Sequence, residues 1–111
     1  QMHIFPCENG DEFPKNQYTK WFDYDKIKGT LSLRHRQPGD YLTLPSGGRK
    51  TLKSWMIDEK IPRQEREQIW LLAEEKHILW IVGHRISAYY KITEQTKTIL
   101  EVEFNGGKSS G

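Results

Sequence analysis

The chain carries a single cysteine, Cys7. No disulfide can form within it, and the paired-thiol spacings that hold structural zinc are missing. Four histidines, His3, His35, His77 and His84, show no i, i+4 pair and no carboxylate at ligand spacing, which argues against a metal centre. No apolar run approaches the roughly 20 residues needed to span a bilayer. No positively charged start followed by an apolar stretch marks a secretory signal. These absences point to a reducing, cytoplasmic setting with no membrane partner. Paired catalytic acids and a positioned nucleophile are missing too, since Cys7 falls in a stretch without a recognisable scaffold. A free-standing enzyme is therefore the weakest of the readings. The chain starts at Gln1 rather than Met, which suggests a piece of a longer protein.

What the sequence does have is an uneven distribution of charge. The net charge is only +2 over 111 residues. Between Leu31 and Lys53, however, five Lys/Arg (Arg34, Arg36, Arg49, Lys50, Lys53) stand against one acid, Asp40, a local +4. The rest of the chain is slightly acidic, so the cations are concentrated. A patch of this kind is the usual footprint of a phosphate-rich partner.

In chain order, residues 1–17 mix Pro, Gly, Asn and acids without periodicity and read as an irregular lead-in. Tyr18 to Ile27 is rich in aromatics and reads as a strand. Residues 31–36, LSLRHR, alternate strictly: Leu31, Leu33 and His35 share an inward face, while Arg34 and Arg36 stand side by side on the outer one. Gln37-Pro38-Gly39-Asp40 is a turn, and Tyr41 to Leu44 alternates again, so a hairpin of these two strands is expected. Thr51 is placed to cap a helix whose apolar stripe is Leu52, Trp55 and Met56. Ile61-Pro62 ends it. Pro62 opens a second short helix that sets Arg63 and Arg66 on one face. Residues 69–73 and 77–82, joined by Glu74-Glu75-Lys76 and closed by Gly83, read as a hairpin. A short segment, 85–90, and a half-exposed final strand, 98–104, follow. Residues 105–111, NGGKSSG, have linker composition. The reading is one α+β domain over 18–104, with a small, mainly antiparallel sheet or sandwich and one or two short helices.

Ser46-Gly47-Gly48 begins like the SGGxDS loop of ATP-pyrophosphatases, but Arg49-Lys50-Thr51 follows and neither the Asp nor the second Ser is present. No parallel strand feeds it, so a basic-edged loop is expected rather than an ATP site. Asp40 is read as a turn aspartate that bonds local N–H groups rather than as a general base. Trp55, Trp70 and Trp80 lie on apolar faces and are expected in the core.

The run LSLRHRQPGDYLTLPSGGRKTLKSWMIDEKIPRQER, followed by IWLLAEEKHILWIVGHRIS, resembles the C-terminal domain of bacterial tRNA(Ile)-lysidine synthetase. The matching pattern takes in Leu33 to Arg36, Gly39-Asp40, Lys50, Leu52-Lys53, Ile61-Pro62, Arg66, Val82-Gly83 and Arg85. It runs over roughly residues 22–104 in order and spacing. Members of that family convert the wobble cytidine of tRNA(Ile) to lysidine with ATP and lysine. The resemblance implies that the catalytic SGGxDS domain lies elsewhere in the parent enzyme and that this fragment holds no cofactor. It also implies a fold related to a domain of the phenylalanyl-tRNA synthetase β subunit, and a tRNA partner gripped on its acceptor-stem side. The expected contacts are Arg34, Arg36, Arg49, Lys50, Lys53, Arg63 and Arg66, with Gly39, Asp40, Pro62 and Gly83 shaping the turns. The alternative is a protein–protein module that docks on other domains of the parent or forms a homodimer.

Overall fold

The computed structural model describes residues 1–7 and 18–104. In chain order these form β1 (Met2–Pro6), β2 (Thr19–Asp23), β3 (Leu31–Arg34), β4 (Tyr41–Thr43), β5 (Arg49–Thr51), α1 (Leu52–Asp58), α2 (Arg63–Arg66), β6 (Leu71–Glu74), β7 (His77–Ile81), β8 (Arg85–Ile86) and β9 (Thr98–Glu103). The chain divides into two units, residues 1–27 with 90–111, and residues 28–89.

The first unit is a three-stranded antiparallel sheet in the order β1-β9-β2. Leu100 faces Ile4 on one side and Phe22 on the other. β9 is the middle strand, and it alternates as expected: Leu100 and Val102, with Phe104 just beyond the strand, are buried, whereas Glu101 and Glu103 stay partly exposed; Ile99 is buried as well. Its polar residue Glu101 accepts a hydrogen bond from Trp21 Nε1 at 3.1 Å. β1 corrects the irregular reading of the lead-in for residues 2–6. Met2, His3 and Ile4 are exposed, so the strand is held by its backbone ladder and leaves no hydrophobic period to read. The rest of the lead-in, 8–17, and the tail, 105–111, lie outside the described residues. The aromatic strand stops at Asp23, whose buried carboxylate accepts from Asp25 N at 3.0 Å and starts a 3-10 turn over Tyr24–Lys26.

The second unit carries the basic stretch. Its sheet runs β3-β6-β7-β4-β5, with β8 paired to β7. The expected hairpin of β3 with β4 does not form. β3 pairs with β6, setting Leu33 opposite Leu72 and Arg34 opposite Leu71. β4 pairs antiparallel with β5 and meets β7 in a single parallel bridge, Tyr41 to His77. As β3 is at the sheet edge, Leu33 stays 51% exposed and the inward face read from its alternation is only half made. The β6–β7 hairpin forms as expected, turning at Glu75 with φ of 56°. Its register slips between Leu72 and Ala73, and the extra residue twists the pair.

Helix α1 starts where Thr51 Oγ1 accepts from Ser54 N at 3.1 Å. Its stripe of Leu52, Trp55 and Met56 is buried against Leu42, Leu71, Ala73, Ile78 and Ile81. This apolar face is what fixes the helix on the sheet. Trp80 is buried as expected, but Trp70 is 38% exposed and lies against His35, ring centres 4.1 Å apart. The fold class is α+β with mainly antiparallel sheets and two short helices.

Candidate nucleic-acid interface

The turn from Arg36 to Asp40 and the start of α1 enclose a surface hollow of ≈ 530 Å³, lined by Arg36, Gln37, Asp40, Thr51, Lys53 and Glu67 among others. Its shape depends on one ion pair. Arg34 places Nη1 and Nη2 on the two oxygens of Asp40 at 2.9 and 3.0 Å, and the same nitrogens donate to the carbonyls of His35 and Glu75 at 2.9 and 2.6 Å. Asp40 is buried and also accepts from Gln37 N at 2.8 Å. The turn aspartate read from sequence is therefore present, with an unforeseen arginine behind it. Gly39 takes φ of 89°, which an L side chain rarely tolerates. Lys76 Nζ donates to Pro38 O at 2.9 Å and clasps the turn from the β6–β7 hairpin.

The seven expected cations separate into distinct situations. Arg34 faces inward, and its side chain is 16% exposed, so the pair of outward arginines expected on β3 is corrected. Arg36 lines the hollow and meets Glu67 through Nε at 2.8 Å and Nη2 at 2.6 Å. Lys50 is ion-paired with Asp58. Arg66 uses Nε to hold Ile61 O at 2.8 Å, tying α2 to the end of α1. Arg49 lays its guanidinium over the Tyr41 ring, 4.3 Å from the centroid. Lys53 and Arg63 are exposed and make no ion pair with a described residue. Pro62 serves as N-cap of α2, and Gly83 turns the chain after β7 with φ of 83°.

The hollow thus presents Arg36 from the turn and Lys53 from α1, and the carboxylate of Asp40, also in its lining, is paired with Arg34. A surface pair such as Arg36–Glu67 is worth only about 0–1 kcal/mol, so a phosphate can compete for that guanidinium. Glu67 and Asp58 lie beyond the 31–53 window and were invisible to a local charge count.

The Ser46-Gly47-Gly48 segment is a hairpin turn, as the basic-edged loop expected from the sequence would be. It turns the antiparallel β4–β5 hairpin, with Gly47 N spent on Leu44 O at 2.8 Å and Gly48 O on Leu44 N at 2.8 Å. Among the described residues no group of His, Cys, Asp or Glu is placed to hold a metal. Among the described residues no helix is long and apolar enough to cross a membrane.

A column of rings on the β4–β7 side escaped the sequence reading. Tyr41 stacks on His77 with centroids 4.6 Å apart, and Tyr89 lies 5.1 Å from His77. His77 Nε2 is 3.0 Å from Thr43 Oγ1 and 3.3 Å from Ser87 Oγ. Burial pushes the His77 pKa below its ordinary value. The Arg49 cation adds to this, and Glu74 works against it.

The fold defines a small α+β domain whose hollow is lined by Arg36 and Lys53 together with Asp40 and Glu67. Residues 31–103 match the family model described as the TilS substrate C-terminal domain, and the chain belongs to that family. The tRNA(Ile)-lysidine synthase of Caldanaerobacter subterraneus subsp. tengcongensis is 46% identical over 105 residues, covering 94% of this chain and 22% of that protein. The same-named protein of Clostridium tetani is 41% identical over 101 residues, covering 90% of this chain and 22% of that protein. The chain therefore spans about 22% of the length of these relatives. A solved structure described as the crystal structure of the TILS C-terminal domain superposes with a TM-score of 0.65 at 28% identity, covering 94% of this chain and 84% of the other.

Proposed function

We propose that this domain grips the helical body of tRNA(Ile), on its acceptor-stem side, for a tRNA(Ile)-lysidine synthase acting in the cytoplasm. Conversion of the wobble cytidine to lysidine, with its ATP and lysine, falls to other domains of the parent. The observation that carries the reading is the pair Arg36 and Lys53 at one hollow, fixed by a turn that Arg34 and Asp40 lock. Duplex RNA offers proteins phosphates, 2′-hydroxyls and a shallow minor groove, so a rigid cationic surface recognises it largely by shape. Arg36 supplies a forked donor for a phosphate and Lys53 a point charge. Arg63, Arg49, Lys50 and Arg66 stand as outer contacts, and Arg34 acts as a positioning residue. Such contacts set register and carry little sequence information. In the whole enzyme, Arg36→Ala or Lys53→Ala should raise the KM for tRNA more than it lowers kcat. Unchanged tRNA kinetics in both variants would remove these residues from the interface.

A second reading, docking on other domains of the parent or on a second copy, is favoured by Leu33 and Trp70, exposed on the edge strand and beside it. Self-association that does not respond to salt, lost in Leu33→Ser, would support it.

A further inference from the structure

Arg49 was expected to touch phosphate, yet its setting suits a different ligand. Among the described residues its guanidinium makes no ion pair with a carboxylate. It lies 4.3 Å over the centre of Tyr41, while Arg49 itself is exposed. Tyr41 in turn rests on His77, and His77 on Tyr89. The column is braced from the side. Thr43 Oγ1 and Ser87 Oγ flank His77 Nε2, and Ser87, itself buried, accepts from Thr43 N at 3.0 Å. A guanidinium held over an aromatic ring, on an exposed residue, leaves its outer side for another flat group. Arginine planes and aromatic rings are the surfaces on which unpaired RNA bases stack.

We propose that the Arg49–Tyr41–His77 column is a stacking site for an unpaired nucleobase, with the base lying on the Arg49 plane. This rests on the RNA-docking reading and adds to it. The hollow takes phosphates of a duplex, whereas the column takes a base that a duplex does not expose. Any of the four bases can serve, since each has a flat face.

The test uses the 111-residue chain and three RNAs: a blunt duplex, the same duplex with a single-stranded 3′ overhang, and that overhang made abasic. The abasic strand keeps every phosphate and removes only the bases. Affinities are read by anisotropy. The intact overhang should bind at least about fivefold tighter than the abasic one, the low end of base–aromatic stacking. Arg49→Lys should abolish that difference although the charge is kept, and Arg36→Ala should weaken all three RNAs while preserving it. Equal binding of intact and abasic overhangs, or a difference that survives Arg49→Lys, overturns the stacking site alone, provided the blunt duplex still binds. No binding of any RNA at low salt overturns the docking reading and the stacking site with it.

Discussion

Arg34 and Asp40 form a two-pronged ion pair, 2.9 and 3.0 Å, between the end of β3 and the turn that follows it. Asp40 is almost fully buried, and Arg34 satisfies two backbone carbonyls as well. A basic residue that looks like a ligand contact in the sequence is thus a strut for its neighbours. Removing the arginine would leave a buried carboxylate with only Gln37 N among these partners. Arg34→Ala should cost about 3–5 kcal/mol in chemical denaturation. Arg34→Lys should recover little of it, because an ammonium cannot make the fork. A loss below about 1 kcal/mol would show that the strut is dispensable.

In the proposed RNA-docking reading, Glu67, which pairs with Arg36, competes with RNA for that guanidinium. Glu67→Gln should leave stability within about 1 kcal/mol, the range of an exposed pair, and tighten RNA binding at low salt. Weaker binding in this variant would mean that Glu67 orients Arg36 rather than restrains it.

Thr51 ties Lys53 to the fold, because its side chain caps the helix on which Lys53 sits two residues later. Thr51→Ala should lower stability by about 1 kcal/mol, and Thr51→Ser should restore most of it. Equal melting curves for the two variants would contradict the capping role.

His77 makes stability depend on pH. Its folded-state pKa is lowered, first by burial and then by Arg49, with Glu74 opposing. The unfolded chain therefore binds the proton more readily, and stability rises with pH in this window. The contribution is full above the ordinary histidine value of 6.5 and is lost as pH falls through the lowered pKa. His77→Gln should flatten the decline in stability seen between neutral and mildly acid pH. An unchanged slope in that variant would assign the decline to other groups.

Much of this architecture was legible where local chemistry decides it. The Thr51 cap, the Leu52, Trp55 and Met56 stripe, the Pro62 break and the β6–β7 hairpin all rest on short-range signals. The pairing of β3 was not legible, because its partner β6 lies some forty residues on and the alternation of LSLRHR is satisfied at a sheet edge with Leu33 left in water. Trp70 was expected inside because it begins an apolar run, but the strand starts one residue later and leaves it outside. For the candidate site, a count along the sequence overstates the free charge of residues 31–53. Arg36 and Lys50 find acids 31 and 8 residues away, and Arg34 turns to Asp40. Only the fold brings those partners together. The ring column could not be read at all, since Tyr41, His77 and Tyr89 meet across three separate segments.

The central claim is that this domain docks RNA through the Arg36 and Lys53 hollow. The most direct test is the affinity of the 111-residue chain for an acceptor-stem duplex across a salt series. Each phosphate neutralised lowers log K by roughly 0.9 per unit of log salt, taking the DNA value. The account predicts a slope between about 2 and 5, falling by about 1 in Arg36→Ala and again in Lys53→Ala. A folded chain that fails to bind at low salt, or a slope that neither variant changes, would contradict it.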